Sequence, residues 1–233
     1  MSRPVITQNG WTEAVKTATW VLVLAAVAVF AAGAPIVVNT TDSETGELIA
    51  TAEHETRAVS AGNVLLVTKW QDHREASSGT AEAPLDKDYS TLTWRLTSDA
   101  GETDYSGIRD GDTASMTGTL RGERVNGSKD VGKTAFYHNP AIGLEGFVRS
   151  GAGKTEFYTV RPDNMSFQKM KAERKDIERI TVGGSSVAAA RVDWGLTGFR
   201  SAFYKRTFWF READGVFLRS DPSRGTYSEL GTG

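Results

Sequence analysis

Cysteine is absent from all 233 residues. The chain therefore has no disulfide, no thiolate nucleophile and no cysteine-based metal or iron–sulfur site. Histidine is nearly as scarce: His54, His73 and His138 lie too far apart in sequence for a metal-ligand spacing, so exposed or capping roles are expected for them. No G-x-S-x-G string marks an acyl-transfer serine. An excess of one charge is missing too, since 27 Lys and Arg meet 29 Asp and Glu for a net charge of −2. That balance offers no electrostatic footprint for nucleic acid. With these classes removed, no catalytic, cofactor-binding or metal-binding residue is assigned, and the chain reads as non-enzymatic.

Long apolar runs are also rare, with one exception. Thr17 to Val38 carries no ionisable side chain. As a helix its 22 residues would reach roughly 33 Å, against a hydrocarbon core of about 30 Å. A cleavable secretory signal is the competing reading, with Ala32-Gly33-Ala34 as its cleavage region, but Pro35 follows that site directly and Ile36-Val37-Val38 prolong the apolar run. A retained transmembrane helix is the better expectation. Arg3 and Lys16 precede the span, whereas Asp42, Glu44, Glu47, Glu53 and Glu55 follow it with only Arg57 in opposition. The positive-inside rule then puts the N-terminus in the cytoplasm and the rest of the chain outside, on a bacterial inner membrane. The expected organisation is a cytoplasmic leader (1–16), a transmembrane helix (17–38), an acidic stalk (39–60) and an extracytoplasmic β-rich domain (61–233).

The domain reads as mainly β, an antiparallel sheet forming a half-barrel or sandwich with about one amphipathic helix. Ser90, Leu92, Trp94 and Leu96 alternate with Thr91, Thr93, Arg95 and Thr97, the period of a sheet with one wet face, and Thr113 to Leu120 repeats the pattern. The polar stretches Gln71 to Asp88 and Ser98 to Asp112 read as loops. Leu144 to Arg149 and Thr155 to Arg161 flank Ser150-Gly151-Ala152-Gly153 as a hairpin would. Phe167, Met170, Ile177 and Ile180 recur at near-helical spacing behind Asn164 and Ser166, which predicts the amphipathic helix. From Arg161 to Arg211, eleven Lys and Arg face five Asp and Glu, a basic half against an acidic stalk. Residues 177–220 close the chain as an antiparallel meander, with turns at Gly183-Gly184 and at Asp214-Gly215, the latter a pair suited to a type I′ turn.

One nucleotide motif is present to the letter. Gly127 to Thr134 (GSKDVGKT) fits G-x-x-x-x-G-K-[ST]. Neither the preceding buried strand nor the following helix that such a loop needs is present, because Asn139-Pro140 arrives four residues later. The stretch is expected to be a turn. A second Gly153-Lys154-Thr155 has Val148 where the first glycine belongs and fails outright.

The strings IERITVGGSSVAAARVDW and RTFWFREADGVFLRSD, within residues 177–221, resemble the closing strands of periplasmic lipoprotein-carrier-like proteins with a curved half-barrel sheet. The resemblance implies a fold more than an activity, and the retained anchor departs from a soluble shuttle. Two functions follow. The span's Ala25, Ala26, Ala28, Ala31, Ala32 and Gly33 allow close helix approach, which suits an accessory or assembly subunit whose partner is an integral membrane complex. The alternative is a tethered module that binds a lipid or other apolar ligand, with Trp94, Trp194, Phe208, Trp209 and Phe210 lining its site or filling an ordinary core.

Overall fold

The computed structural model of the protein describes residues 35–60, 62–161, 164–198, 204–222 and 225–231. In chain order its elements are β1 (Ile36–Asp42), β2 (Leu48–Ala58), β3 (Val64–Asp72), β4 (Ser77–Leu85), β5 (Thr93–Ser98), β6 (Asp104–Asp110), β7 (Thr113–Leu120), β8 (Glu123–Asp130), β9 (Ala135–Phe136), α1 (Pro140–Arg149), β10 (Lys154–Val160), β11 (Phe167–Val182), β12 (Ser185–Leu196), β13 (Lys205–Arg211), β14 (Phe217–Ser220) and β15 (Thr226–Leu230). All these strands belong to one sheet. Strands β1 to β8 extend from its centre in one direction and β15 back to β9 in the other, so that the first and last strands pair in the middle. Only β9 with β10 is parallel among the described pairs. The fold is therefore mainly β, as the alternation predicted.

The sheet curls until its two wings face each other. Gly127 of β8 lies near the Phe167 ring of β11, which a Cβ there would meet at 3.4 Å, and the two come from opposite wings. A polar clip then ties the turn before β5 to β9. Ser90 Oγ accepts from Phe136 N at 3.0 Å and from Arg109 Nη1 at 2.9 Å, and Thr91 N donates to Phe136 O at 2.7 Å. These bonds satisfy backbone groups that a sheet edge would otherwise leave open. α1 fills the space between the wings. Leu144, Phe147 and Val148 join a core cluster with Phe157, Val192 and Phe210, while Ile142 joins a second with Leu66, Leu85, Trp94 and Phe136.

Several expectations are corrected. The helix expected from Phe167, whose end was left open because Ile177 to Val182 read equally as a strand, is strand β11 throughout, sixteen residues long and paired with both β10 and β12. A register shift between Arg174 and Ile177 interrupts its alternation, and Ile177, counted in the apolar spacing, is 48% exposed. The one helix among the described residues is α1, where a strand of a hairpin was expected. Asn139 caps it, accepting from Ala141 N at 3.1 Å, and Pro140 occupies the first turn. Asn-Pro thus starts a helix here, because proline's missing donor costs nothing at that position. The two expected loops contain β4 and β6. The acidic stalk contains β1 and β2, the centre of the sheet. Ile36 to Val38, assigned to the transmembrane helix, belong to β1; residues 17–34 lie outside the described residues. Among the described residues no helix is long and apolar enough to cross a membrane.

The meander at 177–220 stands, with one turn revised. Gly183 and Gly184 have φ of 53° and 78°, the two positive values a type I′ turn needs. At the second turn Gly215 alone is positive (73°), inside a four-residue loop closed by Arg211 N to Val216 O at 2.7 Å.

Candidate ligand-binding cavity

The inward faces of the two wings do not meet everywhere. Between them lies a cavity of about 740 Å³, bounded by β3 to β6 on one side, β10 to β13 on the other, and the first turn of α1. Its wall includes six aromatic residues: Trp70, Trp94, Tyr105, Trp194, Tyr204 and Phe208. Trp194 lies with its ring centroid 5.0 Å from Phe208 and 5.6 Å from Tyr204, and Trp94 stacks at 4.7 Å on Phe136 behind it. The packing of these rings depends on glycine opposite them. Trp94 faces Gly107 across β5 and β6, and Trp70 faces Gly79 across β3 and β4. A Cβ at either glycine would overlap the indole.

Polar atoms lie behind this wall. Trp70 Nε1, Trp194 Nε1, Thr159 Oγ1 and His138 Nδ1 are buried without a hydrogen-bond partner among the described residues, and all four residues line the cavity. Buried polar groups are almost always paired, and leaving one unpaired costs about 1–3 kcal/mol. The four residues border one space, but these particular atoms are themselves shut away from it. Burial pushes the His138 imidazole down to about 4, helped by the neighbouring His54.

At the first turn of α1 the cavity adjoins a second space, an annex of about 290 Å³. Thr68, Asn139, Ala141, Arg206 and Phe208 belong to both walls. The annex adds Thr40, His54, Ser220 and Ser228. His54 is 7% exposed and its Nδ1 is bonded to Thr68 Oγ1 at 2.9 Å. Burial pushes its pKa down to about 4, so it is neutral at pH 7. Arg206 is positioned from behind, with Nη2 donating to Ser220 Oγ and Asp221 O at 3.3 Å each and Nε 3.5 Å from Asp221 Oδ1.

Of the five aromatics singled out in the sequence, Trp94, Trp194 and Phe208 line the cavity. Phe210 is fully buried in the core instead, and Trp209 points to the other face of β13, where its indole N–H bonds Glu178. Sequence reasoning missed His54, His138, Thr159 and Arg206. Two of the three histidines are thus inward, and only His73, bonded to Thr51 Oγ1 at 3.2 Å, sits on the surface as expected. β3 alternates and its inward Thr68 pairs with His54, but β2 itself shows no alternation that would have marked His54 as inward. The phosphate-loop string lies on β8 and the turn after it, with Lys133 exposed and paired to Asp112 at 3.2 Å. No group of three or more potential metal ligands occurs among the described residues.

A strongly curved antiparallel sheet around an aromatic cavity is the class this fold defines. The chain is similar to a β-barrel-like protein of domain of unknown function DUF1849 from Brucella abortus, with a TM-score of 0.53 and 10% identity over 85% of this chain and 95% of that one. Weaker likenesses join it to a DUF1089 family protein from Pseudomonas aeruginosa (TM-score 0.42, 11% identity, 72% and 87% coverage) and to the hypothetical lipoprotein YmcC from Escherichia coli (0.32, 9%, 85% and 86%). The first likeness shows a shared β-barrel-like fold; the other two bear no weight. No known family model matches the chain, and no curated protein sequence matches it.

Proposed function

We propose that the protein is a non-enzymatic binding module that holds one lipid-like molecule between the wings of its sheet, in the manner the lipoprotein-carrier resemblance implies. The observation that carries this is a cavity of about 740 Å³ between the wings whose wall includes six aromatic residues. A volume of this size is that of a site for a drug-sized or larger apolar molecule, in which a few polar groups fix orientation. The reading takes precedence over the accessory-subunit expectation, which rested on the small side chains of residues 25–33. It keeps the tether: residues 17–34 anchor the module to the bacterial inner membrane, with the N-terminus cytoplasmic and the cavity in the periplasm.

The test is to purify the full chain from its native membrane in mild detergent, wash it exhaustively, and analyse the organic extract by mass spectrometry. A lipid-like species retained in near one-to-one ratio is expected. An extract matching that of an unrelated single-span protein from the same membrane would count against binding, and purification inside a large particle would restore the accessory-subunit reading.

A further inference from the structure

The two ends of the cavity differ in chemistry, and the difference specifies the ligand. The main chamber carries six aromatic residues among its lining. The annex is hydroxyl-rich, with Thr40, Ser220 and Ser228 on its wall. One guanidinium stands where the two meet. Arg206 lines both compartments, whereas the other guanidinium of the site, that of Arg161, lines the chamber alone. Asn139 and Ala141, the cap and first turn of α1, also line both, so the positive end of the helix dipole lies there, although Ala141 N already donates to Asn139 Oδ1 and Pro140 has no N–H. His138 immediately precedes the cap, with its Nδ1 unpartnered among the described residues, and His54 faces the annex. Among the described residues no carboxylate lines either compartment. Asp221 steadies Arg206 on its Nε side, outside both walls.

We propose that the bound molecule is an anionic amphiphile whose carboxylate or phosphate head sits against Arg206 and the start of α1 while its apolar body lies among Trp70, Trp94 and Trp194. This rests on the binding function proposed above. A cationic head would meet the guanidinium and the helix start, both repulsive to it. A neutral head would forgo the ion pair with the guanidinium, which an anionic head gains.

The experiment uses the full chain in a neutral sugar detergent and reads the bound fraction by native mass spectrometry with equal concentrations of palmitate, hexadecyl phosphate and hexadecanol. The expected order is palmitate or hexadecyl phosphate above hexadecanol by about tenfold or more, and the stronger of the two acids identifies the head. Arg206→Gln should lower the affinity for the acids by about tenfold while leaving hexadecanol within about twofold, and Arg206→Lys should keep much of the acid preference. Retained hexadecanol binding in Arg206→Gln shows that the chamber is intact. An acid preference that survives Arg206→Gln unchanged overturns the placement of the head. Equal binding of all three ligands by wild type overturns the anionic head and leaves the binding function standing. Binding of none of them, with wild type folded, overturns both.

Discussion

Three buried ionisable residues make the stability of this protein depend on acid. His54 and His138 are pushed down to about 4 by burial, from an ordinary 6.5, and the Glu145 carboxyl on α1 is pushed up to about 7 by burial, although it accepts from Phe217 N at 3.1 Å and lies near Arg149 and Arg211. The histidines bind protons more readily when the chain is unfolded, so their contribution is complete above pH 6.5 and is lost as pH falls towards 4. Glu145 has the opposite sign: it binds its proton more readily when folded, and its burial destabilises increasingly as pH rises from 4.5 to 7. Between pH 6 and 5 the unfolded chain therefore holds about one more proton, two from the histidines less one from Glu145. Denaturant unfolding across that interval should lose about 1.4 kcal/mol per pH unit, and Glu145→Gln should roughly double the loss. A flat wild-type profile, or a Glu145→Gln profile parallel to wild type, would show that these groups are not held as described.

A second prediction at this scale concerns Gly107. It lies opposite Trp94, which is 2% exposed, and an added Cβ would overlap the indole, a rigid ring with no free end to swing away. Gly107→Ala should destabilise by about 1–3 kcal/mol, as overpacked cores do, and weaken ligand binding by displacing a cavity wall. Gly111→Ala is the control for strain without crowding, since nothing lies within 4 Å of its Cβ position and its φ is 56°. Equal fluorescence spectra for Trp94 in wild type and Gly107→Ala, with the other tryptophans replaced by phenylalanine, would contradict the account.

At the scale of elements, α1 organises the site, because its first turn divides chamber from annex. Asn139→Ala removes the cap bond to Ala141 N and should cost about 1 kcal/mol. Ser90→Ala should cost more, about 1–3 kcal/mol, since Ser90 Oγ serves Phe136 N and Arg109 Nη1 together and the buried amide would lose its acceptor. Chemical denaturation measures both, and a larger loss for the cap than for Ser90 would show that the clip is the weaker of the two ties. Element by element, the sequence was legible where side chains are large and alternate strictly. β7 ran as expected over Thr113–Leu120, and the closing meander was recognised from Ala190, Val192 and Trp194. It was illegible where the inward residues are small. β4 buries Gly79, Ala81, Ala83 and Leu85 in strict alternation, but three of these four carry too little apolar surface to stand out in a Ser, Gly and Ala-rich stretch. β11 misled because a register shift breaks its period. α1 misled because Gly143 and Gly146 lower its helix propensity, and burial overrides that: Gly143 lies against Tyr137 and Gly146 against Asp88, contacts that a larger residue would prevent.

At the scale of the whole molecule, the acidic segment after the apolar run turns out to be the centre of the sheet. β1 pairs with both β2 and β15, so the two ends of the described chain are locked together and the wings are free to curve towards each other. That curvature is what creates a cavity, and it could not be read from sequence because the residues lining it come from eight strands and one helix start far apart in the chain. The aromatic part of the site was nevertheless visible in Trp94, Trp194 and Phe208, whereas the polar part depended on which face of β2, β10 and β13 turned inward. A chain of this topology, rich in contacts distant in sequence, should also refold slowly, on the order of milliseconds to seconds in stopped-flow fluorescence, and microsecond refolding would contradict the central pairing of β1 with β15.

The central claim is that the space between the wings binds an apolar molecule. Ala81 lines it and is 4% exposed, so Ala81→Trp would place an indole in the space a ligand needs. Binding of a neutral fluorescent naphthylamine probe to the full chain in mild detergent, measured against a detergent blank, tests this most directly. Wild type should bind one equivalent saturably, and Ala81→Trp should lower the affinity at least about tenfold while its unfolding midpoint stays close to that of wild type. Saturable binding that persists undiminished in folded Ala81→Trp, or no binding by wild type, would contradict the account.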